Sequence, residues 1–277
     1  MTKRAAVIND LSSFGKCSLT AYIAVLSAMG VQPCPMPTAV LSSQTEFEHY
    51  YAKDLSDAMP RYIEAWRKNK EHFDSICTGY FANAVQLDHA LDFIRSFKTN
   101  NCMVLVDPVM GDGGSLYPAF DAATCQKMRL LAKEADVITP NLTELCLLAK
   151  ADYHALIAKR GVSLLGSVVA VAKKFSEGCG VIVTGIPDGR DICNLVVENK
   201  SARVIRRPKI GGRFSGTGDI FSAVVSGCLL KGKTLTESAQ IAANFVSACV
   251  LDTVKTLHRP MYGVELEKNL NLLWKVK

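Results

Sequence analysis

Short and almost entirely apolar runs recur along this chain, and each run ends in small or polar residues. The clearest of them cover residues 5–9, 102–106, 135–138 and 180–183. Segments with apolar residues at three- and four-residue spacing lie between the runs and predict helices. A strand that is apolar throughout must be covered on both faces, as in parallel sheets with crossover helices. The sequence therefore predicts an α/β protein with a central, mostly parallel sheet flanked by helices on both faces.

The remaining pattern completes this α/β order. Two extended runs, residues 192–197 and 202–207, predict an antiparallel hairpin at the sheet edge. The hairpin is short and leaves little chain for a separate lid domain. Further strands are predicted at residues 35–41 and 75–77, and helices at residues 18–29, 57–70, 84–97, 165–176, 217–230, 234–251 and 264–274. No internal repeat or low-complexity linker divides the chain, so we expect a single domain over residues 1–277.

Charge and cysteine content exclude several classes of protein. The formal net charge of +6 is spread along the chain without long Lys or Arg blocks, unlike the clustered charge of nucleic-acid-binding proteins. The ten cysteines show no CxxC spacing, so neighbouring cysteines cannot form a zinc pair or a redox dithiol. The sequence shows no signal peptide and no apolar run that could span a bilayer. We therefore expect a cytoplasmic protein with reduced thiols and no membrane or nucleic-acid partner.

A glycine-rich stretch at residues 211–223 predicts a tight loop that opens a buried helix. The backbone N–H groups of Gly216, Thr217 and Gly218 would lie at the positive end of this helix, where they can bind phosphate oxygens. Asp219 in the first turn would repel that phosphate unless it receives a proton, as the general base does in phosphoryl transfer. A helix cap is the alternative role for Asp219, and the loop alone does not choose between the two.

Polar residues follow the ends of the predicted strands. Parallel strands have their carboxyl ends at one edge of the sheet, where open α/β folds bind ligands, so we expect one cleft to hold these residues. Turns are polar in any protein, which is the alternative explanation for each residue taken singly. The set consists of Asp10, Thr45, Tyr80, Asp107, Thr139, Asn141 and Thr184.

Two acidic residues of the predicted sheet edge suit Mg·ATP. Asp107 precedes a glycine-rich loop, and Glu144 lies one turn into a helix that opens at Asn141. Mg²⁺ usually takes one or two protein carboxylates and keeps water and phosphate as its other ligands. The alternative for Glu144 is an acidic residue that the helix dipole favours at a helix start.

Three segments, residues 107–112, 139–144 and 216–219, resemble in their order and separation the motifs of the ribokinase superfamily. Residues 9–15 and 38–45 are similar to the substrate-binding segments of pyridoxal kinases, which directs the resemblance to the vitamin B6 kinases. The resemblance implies a homodimer that phosphorylates the 5′-hydroxymethyl group of pyridoxal, pyridoxine or pyridoxamine with ATP and Mg²⁺. A monovalent cation is a further candidate cofactor.

The resemblance also implies roles for individual residues. Asp219 corresponds to the base, and Gly216, Thr217 and Gly218 correspond to the anion hole. Asp10, Thr45 and Tyr80 are implied around the pyridine ring, and Asp107 and Glu144 at the metal. The ATP site is predicted to contain Asp107, Thr139, Asn141, Glu144, Thr184, Arg213, Phe214 and Ser215.

Two departures from the B6 kinases leave the substrate open. Many pyridoxal kinases have Ser where this chain has Asp10, and a bacterial subgroup has Lys where it has Thr184. Asp10 can accept a hydrogen bond from a ring hydroxyl, a protonated ring nitrogen or an amino group, so it does not choose between a pyridine and a pyrimidine. A hydroxymethylpyrimidine kinase and a non-catalytic sensor of vitamer or nucleotide are therefore the alternatives, with a sugar kinase as the third choice.

Overall fold

The computed structural model describes residues 1–118, 120–199, 201–256 and 259–276. The strands are β1 (Arg4–Ser12), β2 (Gln32–Leu41), β3 (Ala52–Asp54), β4 (Ser75–Thr78), β5 (Met103–Val106), β6 (Gly111–Asp112), β7 (Ser115–Leu116), β8 (Val137–Ile138), β9 (Gly180–Asp188), β10 (Asp191–Glu198) and β11 (Ser201–Pro208). The α-helices are α1 (Ser18–Ala28), α2 (Met59–Lys68), α3 (Ala84–Phe97), α4 (Ala122–Lys133), α5 (Leu142–Ala149), α6 (Tyr153–Ile157), α7 (Gly161–Ala172), α8 (Thr217–Leu230) and α9 (Leu235–Val254). The 3₁₀ helices are Pro260–Tyr262 and Glu267–Leu273.

The predicted α/β architecture is confirmed. Within the described ranges, the strands form a nine-stranded sheet in the order β11-β10-β9-β8-β5-β4-β1-β2-β3 and a two-stranded hairpin of β6 and β7. The strands from β9 to β2 in this order pair in parallel, whereas β3 at one edge and β10 and β11 at the other pair antiparallel. The predicted edge hairpin is the β10–β11 pair.

Both faces of the sheet are buried, which explains the uninterrupted apolar runs. Ala6 and Ile8 of β1 belong to the core beneath α2, α3, α4, α5 and α7. Ala5 and Val7 of the same strand belong to the core beneath α1, α8 and α9. Successive side chains of a strand point to opposite faces, so a strand covered on both sides must be apolar at every position.

The strand order reverses direction between β1 and β4, which are neighbours in the sheet. The chain leaves β1 through α1 and reaches β2 on one side, whereas it leaves β4 through α3 and reaches β5 on the other side. Helices α1 and α3 cover opposite faces. Such a reversal leaves a crevice at the carboxyl ends of the two strands, where open α/β folds bind ligands. Asn9, Asp10 and Tyr80 lie at this crevice.

Several predicted boundaries were wrong, and the largest differences concern three elements. The strand that begins at Gly180 continues to Asp188, because a bulge at Gly185, with φ +70°, carries it past the predicted end at residue 183. Helix α7 begins at Gly161 and ends at Ala172, four residues earlier at each end than predicted. The C-terminal segment forms the 3₁₀ helix Glu267–Leu273, whose bonds run three residues back, in place of an α-helix over residues 264–274. Among the described residues, no helix combines the length and apolarity that crossing a membrane requires.

Candidate active site

Asp219 lies three positions past the N-cap of α8, and that N-cap is Gly216. Its carboxylate accepts hydrogen bonds from the Asn9 amide at 3.0 Å and from the backbone N–H of Ser18 at the start of α1. Gly216 occupies the cap position and Asp219 is bound to β1 and α1, so Asp219 is not the N-cap residue of α8. The half-buried Asp219 instead faces the crevice between the ends of β1 and β4.

The environment of Asp219 brings its pKa close to neutral. Burial raises the pKa of Asp219 to about 6, and the nearby Asp10 adds to the increase, while the Ser18 N–H and the Asn9 amide oppose it. A carboxylate with such a pKa is largely ionised at neutral pH and can still accept a proton readily. The arrangement therefore has the chemical properties of a general base.

The glycine loop before Asp219 packs against the loop between β1 and α1. A Cβ on Gly216, where φ is +77°, would lie 2.3 Å from the carbonyl oxygen of Lys16, so this position needs glycine. A Cβ on Gly218 would meet no atom within 4 Å, and Gly218 is exposed. Gly216 thus has a structural role in closing the loop, whereas Gly218 leaves open space at the N-terminus of α8, where a phosphate could bind.

Two residues of the predicted acceptor pocket lie at the crevice. The buried Asp10 accepts a hydrogen bond from the Ser12 hydroxyl at 2.7 Å. Burial raises the pKa of Asp10, and hydrogen bonds from Ser18 and Ser12 oppose that increase. The backbone N–H of Tyr80 and that of Asp10 both donate to Asn9 Oδ1, at 2.8 Å and 2.9 Å. One side chain thus joins both predicted acceptor residues.

Thr45, the third residue predicted at the ring, has a different setting. It is exposed on the loop after β2, next to the buried Gln44. No hydrogen bond between described residues joins Thr45 to Asp10 or Tyr80. Its contact with a substrate therefore remains a prediction.

Asp107 is buried at the end of β5 and is supported from α8. Its Oδ2 accepts a hydrogen bond from the Ser222 hydroxyl at 3.0 Å, and that hydroxyl lies 2.9 Å from the Thr139 hydroxyl. Thr139 and Ser222 are themselves buried, so they support the carboxylate from within the protein. Helix α8 thus carries Asp219 and, one turn later, the residue that holds Asp107.

Glu144 has the helix-start role that was the alternative for it. Its carboxylate accepts from the Asn141 N–H at 2.8 Å, while the Asn141 side chain accepts from the Glu144 N–H, which forms a capping box at the start of α5. It also accepts from the Met110 N–H at 3.2 Å. The Asn141 amide donates to the Gly111 carbonyl at 2.8 Å and so fixes the β6–β7 hairpin to this helix.

The chemistry of Asp107 and Glu144 fits a divalent cation. Burial, followed by the charge of Asp219, raises the pKa of Asp107 to about 7. Burial and the charge of Asp107 raise the pKa of Glu144 well above its usual range. A bound cation would relieve this repulsion. Because the described residues contain no cluster of three or more His, Cys, Asp or Glu that could hold a metal, Mg²⁺ would take phosphate and water as its other ligands.

The other predicted nucleotide residues lie around the same loops. Arg213 forms ion pairs with Asp112 of β6, at 3.0 Å, and with Glu46, at 3.8 Å. Phe214 packs against the core beneath α8 and α9, and the Ser215 N–H donates to the Pro260 carbonyl at 3.3 Å. Thr184 bridges to Asn141 through the backbone. Their contacts with a nucleotide remain predictions.

Comparison of this chain with known protein families identifies the family to which it belongs. Residues 13–262 match the family described as phosphomethylpyrimidine kinase. The chain belongs to the phosphomethylpyrimidine kinase family. It is a phosphotransferase that acts on an alcohol group, and its resemblance to the vitamin B6 kinases of the ribokinase superfamily is confirmed.

Similar proteins include named kinases of this family and of the B6 kinases. A Bacteroides thetaiotaomicron protein assigned as a phosphomethylpyrimidine kinase is 34% identical, with a TM-score of 0.93 over 98% of this chain and 94% of that one. The pyridoxal kinase of Lactobacillus plantarum is 27% identical, with a TM-score of 0.90 over 99% of this chain and 97% of that one. Human pyridoxal kinase is 29% identical over 72% of this chain and 69% of its own length.

The sequence did not indicate two side chains that hold carboxylates of this site by hydrogen bonds. Asn9 binds Asp219, and Ser222 binds Asp107. A weak signal exists for each: Asn9 directly precedes Asp10 at a strand end, and Ser222 is a polar residue one turn after Asp219 in a largely apolar helix. Neither signal indicates which distant carboxylate the residue contacts.

Proposed function

We propose that this chain phosphorylates the 5′-hydroxymethyl group of a vitamin B6 vitamer, namely pyridoxal, pyridoxine or pyridoxamine, with ATP as donor and Asp219 as general base. The observation that carries the proposal is the position of the Asp219 carboxylate, in the crevice at the carboxyl ends of β1 and β4 and beside the N-terminus of α8. Its pKa of about 6 supports the same role. The hydroxyl proton passes to Asp219 as the hydroxymethyl oxygen bonds to the γ-phosphorus. The bond from that phosphorus to the β–γ bridging oxygen breaks, and ADP leaves.

The residues around Asp219 divide the remaining work. The N–H groups of Gly216, Thr217 and Gly218 would bind the transferring phosphoryl group, since the N-terminus of α8 offers donors and a positive dipole end. Asp107 and Glu144 would hold Mg²⁺, which neutralises charge that develops on the phosphates when it is bound. The other predicted ATP residues are proposed to line the nucleotide side of the same edge.

The names of similar proteins support a B6 vitamer as acceptor. The similar proteins from human and Lactobacillus plantarum are named as pyridoxal kinases. A second crystal form of the Bacteroides protein, 34% identical to this chain, contains pyridoxal. In this chain Asp10 would accept a hydrogen bond from the ring hydroxyl or the protonated ring nitrogen, with Tyr80 and Thr45 beside the ring.

Hydroxymethylpyrimidine is the second candidate acceptor, because the matching family is named for phosphomethylpyrimidine kinase. A coupled assay with ATP and Mg²⁺ should compare pyridoxal, pyridoxine, pyridoxamine and hydroxymethylpyrimidine. We expect kcat/KM for at least one vitamer to exceed that for the pyrimidine by tenfold or more. Phosphorylation of the pyrimidine alone would overturn the proposal, and ligand binding without turnover would favour a sensor.

Three broader expectations follow from the resemblance to B6 kinases and, for the location, from the sequence itself. They are a homodimer, a cytoplasmic location and a monovalent cation as additional cofactor. Light scattering coupled to size-exclusion chromatography tests the dimer, and comparison of turnover in K⁺, Na⁺ and a bulky organic cation tests the ion.

A further inference from the structure

Asn9 is fully buried, and both polar atoms of its side chain form hydrogen bonds. Its Oδ1 accepts hydrogen bonds from the backbone N–H groups of Asp10, at 2.9 Å, and of Tyr80, at 2.8 Å. Its Nδ2 donates to Asp219 Oδ1 at 3.0 Å. The amide therefore connects the ends of two neighbouring strands to the proposed base on α8.

The surroundings of Asn9 leave its amide one orientation. The two backbone N–H groups need an acceptor, so Oδ1 must face them and the NH₂ group must face Asp219. A Cβ on Gly79 would lie 2.2 Å from Nδ2 and 2.5 Å from Cγ, so only glycine at that position leaves room for the amide. A buried amide held in this way loses little entropy when it binds the carboxylate.

We propose that Asn9 is the positioning residue of the base: it fixes the Asp219 carboxylate relative to the acceptor pocket and keeps it in the ionised, proton-accepting form. The proposal rests on the proposed role of Asp219 as base. The same amide binds the backbone of Asp10 and Tyr80, so a displacement of the pocket would displace the base with it. Proton transfer needs the donor and acceptor atoms within hydrogen-bond distance, which such a link secures.

Charge around Asp219 explains why a donor is needed there. The titratable groups that face it are Asp10 on β1, Asp107 on β5, Cys17 before α1 and Tyr22 on α1. None of these four supplies a positive charge, and the two acids disfavour a charged Asp219. The donors that oppose this effect are the Ser18 N–H, the Asn9 amide and the backbone N–H of Asp219 itself, and Asn9 is the one that donates from a side chain.

Asn9→Asp tests the proposal with little change of shape. The new carboxyl can still accept from both backbone N–H groups, but as an anion it donates nothing and adds a second acid beside Asp219. We expect the acidic limb of kcat/KM for pyridoxine to shift upward by about one pH unit or more, which lowers kcat/KM at pH 7 about twofold or more. The KM for ATP should not change. Asn9→Ala removes the donor without adding an acid and leaves room for water, so its limb should shift upward by about half a pH unit.

Asn269→Asp is the matched control. The buried Asn269 also donates its amide to a carboxylate, Asp252 Oδ2 at 3.2 Å, but in the C-terminal 3₁₀ helix. We expect its pH profile to match that of the wild type. Pyridoxine is the acceptor in every assay, so a difference in the acidic limb between variants reflects a group of the protein and not of the substrate. Thermal melts establish which variants are folded, and a folded Asn9→Ala alone suffices if Asn9→Asp unfolds.

The outcomes separate this inference from the proposed function. A limb that stays within about 0.2 pH units of the wild type in the folded Asn9 variants would overturn the role of Asn9, provided that Asp219→Asn still loses turnover. Near-normal turnover in Asp219→Asn would overturn the base assignment and this inference with it. An equal shift in Asn269→Asp would show that the limb reports general destabilisation, which also contradicts the proposal.

Discussion

Two groups of carboxylates meet at the carboxyl edge of the sheet, and they are held in different ways. Asp219, the proposed base, has a partly open surface, accepts hydrogen bonds from Asn9 and the Ser18 N–H, and has a pKa of about 6. Asp107 and Glu144, the proposed cation site, are buried acids: burial and the charge of Asp219 raise the pKa of Asp107 to about 7, and burial and the charge of Asp107 raise the pKa of Glu144. Hydrogen-bond donors partly offset the burial of Asp219, whereas the buried Asp107 and Glu144 would need a cation to remain ionised together.

Loss of the base should have the largest effect. Asp219→Asn keeps the shape of the side chain but cannot accept the hydroxyl proton, so we expect kcat to fall by about 10²–10⁴. ATP affinity should hold or rise, because the repulsion between the carboxylate and the phosphates is removed. Steady-state kinetics and nucleotide titration measure both quantities, and Asp252→Asn, which neutralises an acid on α9, controls for the loss of one charge.

Substitutions at Gly216 and Gly218, in the glycine loop before Asp219, should separate an effect on catalysis from an effect on stability. Gly218→Val places a side chain in the open space expected to receive phosphate, so turnover should fall about 10²-fold with little change in melting temperature. Gly216→Ala forces a Cβ against the Lys16 carbonyl at positive φ and should cost about 1–3 kcal/mol of stability. Similar melting temperatures for the two variants would show that the loop is not built as described.

Glu144 of the proposed cation site has a matched control in Glu237. Glu144 and Glu237 each complete a capping box, at the start of α5 and of α9, and only Glu144 is buried beside Asp107. Glu144→Gln can still accept the capping hydrogen bond but loses its charge, so the Mg²⁺ concentration for half-maximal rate should rise about tenfold. Glu237→Gln should leave that concentration unchanged. Equal Mg²⁺ dependence in the two variants would remove Glu144 from the cation site.

The sequence predicted the local features of this fold well. The apolar runs identified the parallel strands, and the small residues before Asp219 identified the N-terminus of α8, because both patterns arise within a few neighbouring residues. The bulge that extends β9 was missed because Gly185 looks like a strand end and only pairing with β10 shows otherwise. Pattern reasoning recognises glycine as a break but cannot tell a bulge from a turn.

The candidate site was predictable as a set of carboxylates but not as a hydrogen-bonded arrangement. Asn9 contacts Asp219 across 210 residues of sequence, and Ser222 contacts Asp107 across 115. Such pairs depend on which strands become neighbours in the sheet, and periodicity carries no information about that. The supporting side chains therefore became visible only once β1, β5 and α8 were brought together.

The most direct test of this account is the pH dependence of pyridoxine phosphorylation by the wild-type protein at two Mg²⁺ concentrations, both above that of ATP. If Asp219 is the base, kcat/KM should fall about tenfold per pH unit below a pKa near 6, because protonation removes the acceptor for the hydroxyl proton. That limb should stay in place as Mg²⁺ is raised. A limb that moves to lower pH with added Mg²⁺ would assign it to the cation site, and a flat profile between pH 5 and about 8 would contradict a titrating base altogether.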